Sequence, residues 1–408
     1  MSLALAKDRI PDVLRFFSRF GVEVGLLVPT ETGLSHAIMD AHASLREFLK
    51  RKGIHDYADQ GQGQDSKKIV NAHLITLDGP IKKKVSLYRP ATKKGDPRIW
   101  IEGLNKHAAA GDILALMIHD GELFVVNSST PGLLDLGSRG GTFFHEVLEK
   151  SGLKEIPVAA VELLRQLRNV SAMGYVRTMR PGPTGVGFTL ESLLGIKANS
   201  HRGPDIDGIE IKAGRATDSG RRKTRTTLFS RAPNWDASPY GALQLLRTYG
   251  RPNRNGRNQI YCSLRNVPNP TFGFYLRVED SHDELTSRRG IHGSAPTNSD
   301  EEIFSWPMRE LQSALLEKHS ETFWVKAKTK GIGQDEHFLY YEVTHTRRPL
   351  ISNFAALIES GHINLDFLLK VEFDERNNER ARDRGYLFKI WERDRDLLFT
   401  SAITHSLA

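Results

Sequence analysis

The stretch Gly203-Pro204-Asp205-Ile206-Asp207-Gly208-Ile209-Glu210-Ile211-Lys212 constrains this chain more than any other. Asp207-Gly208 predicts a two-residue hairpin turn, because a type I′ turn needs positive φ at both central positions. That turn sets Ile206 against Ile209 and Asp205 opposite Glu210. The strand period of two then puts Lys212 on the face of Glu210. Asp205, Glu210 and Lys212 are expected on one pleated face, with Ile206, Ile209 and Ile211 turned toward a core. Asp207 lies in the turn and points away, so Asp205 is the better ligand. Two carboxylates beside a lysine suit a hard, oxygen-seeking cation such as Mg²⁺. Such an ion acidifies water and offsets charge on a phosphoryl group, while Lys212 can orient the nucleophile or stabilise the transition state. Phosphodiester hydrolysis needs that combination. An exposed hairpin laced with salt bridges would carry the same short pattern.

Charge points the same way. The chain of 408 residues has a formal net charge of +8, which favours a polyanionic partner, nucleic acid first among them. Eight basic residues lie between Arg202 and Arg231, including Arg221-Arg222-Lys223 and Arg225. No apolar run reaches the ~20 residues needed to span a bilayer, and no secretory signal is apparent, so no membrane partner is expected. The lone Cys262 excludes an internal disulfide and fits a reducing cytoplasm. No Cys/His spacing makes a zinc site.

The length suggests two or three domains. Residues 1–155 read as a smaller α+β domain containing a β-barrel. Helices are expected at 9–20 and 34–52, and strands at 21–29, 72–77, 84–88, 98–101, 113–118 and 123–126, with Asp120-Gly121 as a further two-residue turn. The basic turn from Arg89 through Lys93-Lys94 to Arg98, with Trp100, could face a phosphate backbone. The segment from Arg89-Pro90 to Ile118 faintly resembles the pseudobarrel DNA-reading domains of plant transcription factors and of the EcoRII effector domain, which implies a DNA-binding or effector role. A barrel that only stabilises the chain or binds a protein is the alternative.

Residues 156–408 read as mixed α/β. A helix at 158–168 bridges the halves. Gly185-Val-Gly187 lacks the third glycine and the lysine of a phosphate loop, and that reading is rejected. The helix that follows carries Glu191 beside an apolar stripe of Leu190, Leu193 and Leu194. Strands are expected at 225–230, 259–265, 272–278, 322–328, 336–344, 363–372 and 385–391, with helices at 240–249, 308–318 and 353–361. The polar stretch 279–300 reads as a flexible loop.

The ordered set Gly185-Val-Gly-Phe-Thr-Leu-Glu-Ser-Leu-Leu-Gly-Ile196, Pro204-Asp205 to Lys212, Thr227-Leu-Phe229, Trp324-Val-Lys-Ala327, Glu336-His-Phe338, Gly361-His-Ile-Asn-Leu-Asp366 and Arg382-Asp-Arg-Gly-Tyr-Leu-Phe-Lys-Ile390 resembles the MvaI/BcnI restriction endonucleases. These are relatives of the nickase MutH in the PD-(D/E)xK nuclease superfamily. The resemblance implies a restriction-endonuclease-like α/β (α+β) catalytic domain with a mixed sheet over residues 156–408, comprising catalytic and DNA-recognition lobes. It implies that Asp205 and Glu210 hold Mg²⁺, that Lys212 is the catalytic lysine and that Glu191 matches the helix-borne acid of MutH-like sites. Family members often carry Arg-Asp-His-Gly in the recognition lobe. Here the third residue is Arg384, whose bidentate fork favours guanine, so no target sequence is carried over. Lys326, Lys328, Arg382, Asp383 and Arg384 are the expected DNA contacts. The expected activity is type II, Mg²⁺-dependent, site-specific cleavage of double-stranded DNA, with a methyltransferase on the same site as a possible companion. A MutH-like nickase and a non-catalytic DNA-binding regulator are the competing readings.

Overall fold

The computed structural model describes residues 8–92, 95–152, 156–196, 204–216, 225–279 and 282–407. The basic run Arg221-Arg222-Lys223 and the pair Lys93-Lys94 lie outside them.

The N-terminal residues build a seven-stranded sheet curled into a half-barrel. Across it run the strands Gly25–Leu27, Leu114–His119, Glu122–Asn127, Lys68–Thr76, Gly79–Tyr88, Arg98–Ile101 and Met39–Asp40. The first and last of these are edges of the sheet, so the expected barrel is realised open. Asp120 and Gly121 have φ of 48° and 76°, as a type I′ turn requires. The helix expected over 34–52 is two helices, Glu31–Ser35 and Ala43–Arg51. Two caps divide it: Gly33 N donates to Thr30 Oγ1 at 3.0 Å, and Leu45 N donates to His42 Nδ1 at 3.4 Å. Gly53 stops the second helix with φ of 70°.

The remainder is a mixed α+β assembly. The strand Glu210–Arg215 runs parallel to Glu321–Lys330, which pairs antiparallel with His337–Pro349, and this in turn with Phe399–Ser406. A second sheet orders Arg225–Ser230, Glu379–Trp391, Ile363–Phe373, Asn258–Leu264 and Arg251–Pro252. A three-stranded meander, Phe274–Glu279, Glu284–Arg289 and Glu301–Pro307, forms a further sheet. Part of the stretch 279–300 is therefore sheet rather than loop. Leu285, Thr286 and Ser287 are buried there, and the polar ones gave no alternating apolar signal.

One apolar core joins the parts. Leu14 and Phe17 of the first helix and Phe144 share a cluster with Phe354, Leu365, Leu397 and Phe399. A separate cluster sits beneath the Asp207-Gly208 hairpin and includes Leu190, Ile209, Ile211, Phe323, Val325 and Tyr340. Among the described residues no helix is long and apolar enough to cross a membrane.

Candidate active site

Asp207 and Gly208 adopt φ of 46° and 81°, the turn expected from their identity. Ile206 and Ile209 form the single antiparallel bridge across it, with Ile209 N donating to Ile206 O at 2.7 Å. The expected first strand does not continue past that bridge, and Pro204 has no amide to extend the ladder. Instead the Asp205 carboxylate takes over: its Oδ2 accepts from Ile211 N at 2.7 Å. Asp205 is fixed by its side chain, and Asp207 points into solvent.

Ile209 and Ile211 are buried in the cluster below, and Glu210 and Lys212 share the opposite face as their spacing requires. Glu210 is only 1% exposed. Its Oε1 lies 2.5 Å from Lys212 Nζ and its Oε2 lies 2.8 Å from Lys318 Nζ. Lys318 belongs to the helix Met308–His319 and was not anticipated from the sequence. Oε2 is ion-paired with Lys318 and, with two lone pairs, keeps acceptor capacity beside that contact. Burial raises the pKa of Glu210, and the two lysines oppose that shift.

Glu191 comes from the helix Gly185–Leu193. Gly185 is required at its start, because a Cβ there would lie 2.3 Å from Arg180 O. Tyr340 Oη donates to Val186 O at 2.7 Å and pins the helix to the central sheet. Burial raises the pKa of Glu191, and the nearby Asp205 and Glu210 add to it. Three carboxylates thus share one electrostatic neighbourhood. Among the described residues no group of three or more His, Cys, Asp or Glu side chains is gathered closely enough to form a complete metal cage. The oxygen-only donors, with free capacity on Glu210, fit a Mg²⁺ ion that completes its shell with water and phosphate.

From Lys212 a cleft of about 520 Å³ opens between the two sheets. Arg215, Arg225, Lys326, Glu392 and Arg395 line it with Trp324. Arg215 is committed to structure: it grips Glu336 through two contacts of 2.6 Å and holds the carbonyls of Gly182 and Pro183. Lys326 faces the cleft from between Glu342 (2.8 Å) and Glu392 (3.0 Å). Burial pulls its pKa down, but the two carboxylates outweigh it and raise it. Arg395 stacks 4.2 Å over the Trp324 ring, its pKa is pushed down to about 10 by burial, and its Nε has no hydrogen-bond partner among the described residues. Neither Arg225 nor Arg395 was singled out from the sequence as a site residue.

The other expected DNA contacts are spread more widely. Lys328 is exposed next to the Tyr341 ring, on the same strand as Lys326. Arg382, Asp383 and Arg384 are exposed on the long strand Glu379–Trp391. Leu368 pairs with Gly385 and Leu369 with Asp383, which leaves Arg384 as the extra residue of a β-bulge. Gly385 permits that bulge with φ of 128°. Glu372 anchors this rim, 3.0 Å from Arg382 and 3.9 Å from Arg384. Deeper in the same sheet Asp366 binds Arg225 at 2.9 Å and Lys389 at 2.8 Å, and accepts from Ser263 at 2.5 Å. Burial raises its pKa, but these donors outweigh that and hold it below the usual carboxylate value.

The mixed sheet with its curled partner has the fold of a restriction endonuclease. The solved complex of restriction endonuclease MvaI with its cognate DNA substrate aligns with a TM-score of 0.50 at 20% identity, covering 62% of this chain and 100% of that one. Restriction endonuclease MvaI in the absence of DNA aligns with a TM-score of 0.40 at 20% identity, covering 63% and 100%. No curated protein matches the chain. Residues 164–399 match the MvaI/BcnI restriction endonuclease family, and the chain belongs to it. It is accordingly a restriction endonuclease, a nuclease acting on DNA.

Proposed function

We propose that this protein is a Mg²⁺-dependent type II enzyme that cuts double-stranded DNA at a specific sequence. The observation that carries the reading is the convergence of Asp205, Glu210 and Lys212 at the mouth of a basic cleft. Asp205 and Glu210 would hold the ion, with Glu191 assisting them. When bound, Mg²⁺ supplies acidity to a water nucleophile and offsets charge on the phosphate. Asp205 is held by the amide of Ile211, so its other oxygen is presented in a fixed direction. Lys212 Nζ, anchored on Glu210, orients the attacking water and stabilises negative charge on the phosphoryl oxygens.

The DNA strand occupies the cleft along Lys326, Arg225 and Arg395, with Lys328 and the arginine-bearing bulge at 382–384 reaching the duplex beside it. Asp383 and Arg384 read base edges, and Lys326, Lys328 and Arg382 contact the backbone. Residues 156–408 act as the nuclease domain and residues 1–155 as an attached DNA-binding or effector domain. The enzyme works in the cytoplasm, alongside a methyltransferase that protects the same site.

Sequencing the ends produced on random DNA tests this reading. Discrete ends at one short sequence on both strands are expected. Relaxed circles without linear product would point to a MutH-like nickase. Binding without cleavage under any divalent metal would point to a regulator.

A further inference from the structure

One segment ahead of the family-matched residues is locally basic, although residues 1–163 as a whole are nearly neutral. Between Lys67 and Lys106 ten Lys and Arg stand against three Asp and Glu, a local net of +7. The match begins at residue 164. The described residues of this segment include three adjacent strands of the half-barrel, Lys68–Thr76, Gly79–Tyr88 and Arg98–Ile101.

Strand alternation sorts its side chains. Val85, Leu87, Ile99 and Ile101 turn inward and are fully buried. Lys82, Lys84, Ser86 and Tyr88 turn to the other face, and register places Ile69, Ser86 and Trp100 in one row across the three strands. Farther along the sheet that same face is covered. Phe124 and Met117 lie there in the core shared with Phe16, Phe144 and Val147. Over the basic strands it opens to solvent: Lys82 and Lys84 are exposed, Tyr88 and Trp100 are half-buried, and Ile69 is 57% exposed. Lys67 Nζ sits 5.7 Å over the Tyr88 ring. Among the described residues no carboxylate is ion-paired with Lys82 or Lys84.

We propose that this open sheet face is a second DNA-contacting surface, separate from the cleft, that binds the phosphate backbone of a duplex. Charge complementarity selects the occupant: an open face that presents Lys82 and Lys84 with no carboxylate paired to them among the described residues, in an enzyme whose family acts on DNA, fits a polyanionic duplex. Lysines on neighbouring strands grip phosphates without reading bases, so the surface holds DNA of any sequence. Tyr88 and Trp100 pack against the sugar edge from their half-buried positions.

The test is binding of a labelled random-sequence duplex to the full chain in EDTA, over a salt series. No catalysis is involved, so the result is independent of the proposed cutting reaction. Lys82→Glu/Lys84→Glu should lower affinity at least tenfold at low salt. It should also reduce the slope of log K against log[salt] by about two, one for each phosphate contact removed. The loss should add to that of Lys326→Ala in the triple variant. If the charge reversal lowers the melting temperature, Lys82→Gln/Lys84→Gln must reproduce the slope change. An unchanged slope in folded variants, or tighter binding of an RNA duplex than of DNA through this face, would overturn the proposal.

Discussion

Replacing Lys318 with methionine should weaken the fold through Glu210. Glu210 is almost fully buried, and its charge is balanced by two ammonium groups, Lys212 at 2.5 Å and Lys318 at 2.8 Å. Removing one leaves the carboxylate with half its compensation. Truncating the only partner of a buried ion costs ~3–5 kcal/mol. With Lys212 retained the loss should be nearer that of one charged hydrogen bond, about 1.5–3 kcal/mol. Urea unfolding at pH 7 measures it. The sign for Glu210 itself is opposite. Burial raises its folded pKa, so its protonated form is the one the fold favours. That stabilisation is complete below the unfolded value of 4.5 and is lost as pH rises through the raised folded value. Glu210→Gln should therefore be at least as stable as wild type at pH 7 while losing cleavage. In the Glu210→Gln background, Lys318→Met should cost little, which gives a coupling above about 1 kcal/mol in the double-mutant cycle. A Lys318→Met variant within about 0.5 kcal/mol of wild type, with no coupling to Glu210, would refute the clamp.

Further outcomes follow from the same structure. Asp207→Ala should cost about 1 kcal/mol, because alanine fits the left-handed turn position less well, yet it should leave plasmid cleavage intact. Loss of cutting in that variant alone would mean that the turn places the wrong acid. His319 is fully buried, with its Nε2 on Leu228 O at 2.7 Å, and burial pushes its pKa down to about 3. It must fold neutral, so stability should fall as pH drops below 6.5, by about 1.4 kcal/mol per pH unit, until pH nears 3. His319→Gln should flatten that slope in urea titrations between pH 6 and pH 4. Arg384→Ala should change stability by less than about 0.5 kcal/mol, since the side chain is exposed, but should relax which sequences are cut. Unchanged cleavage ends would remove Arg384 from base reading.

The sequence made local features legible and distant contacts illegible. Asp207-Gly208 and Asp120-Gly121 specify their turns because few residue pairs accept positive φ twice. Glu191 could be singled out as a candidate because its helix precedes the hairpin and carries a clear apolar stripe. Lys318 was not, because nothing in the pattern of the helix Met308–His319 distinguishes a lysine that meets a buried carboxylate from one in solvent. The stack of Arg395 on Trp324 joins two segments far apart in sequence, and only the tertiary fold brings them together. The strand Glu284–Arg289 was hidden because Thr286 and Ser287 are buried polar residues. Arg382 and Arg384 were identified, but the bulge that sets Arg384 apart appears only in the pairing register.

The central claim is that Asp205, Glu210 and Lys212 form the cutting centre, and plasmid cleavage with Mg²⁺ tests it most directly. Wild-type protein should give linear DNA with discrete ends, while Asp205→Ala and Lys212→Ala, each verified as folded, should cut at least ~100-fold more slowly. Cutting at the wild-type rate by either variant would contradict the account.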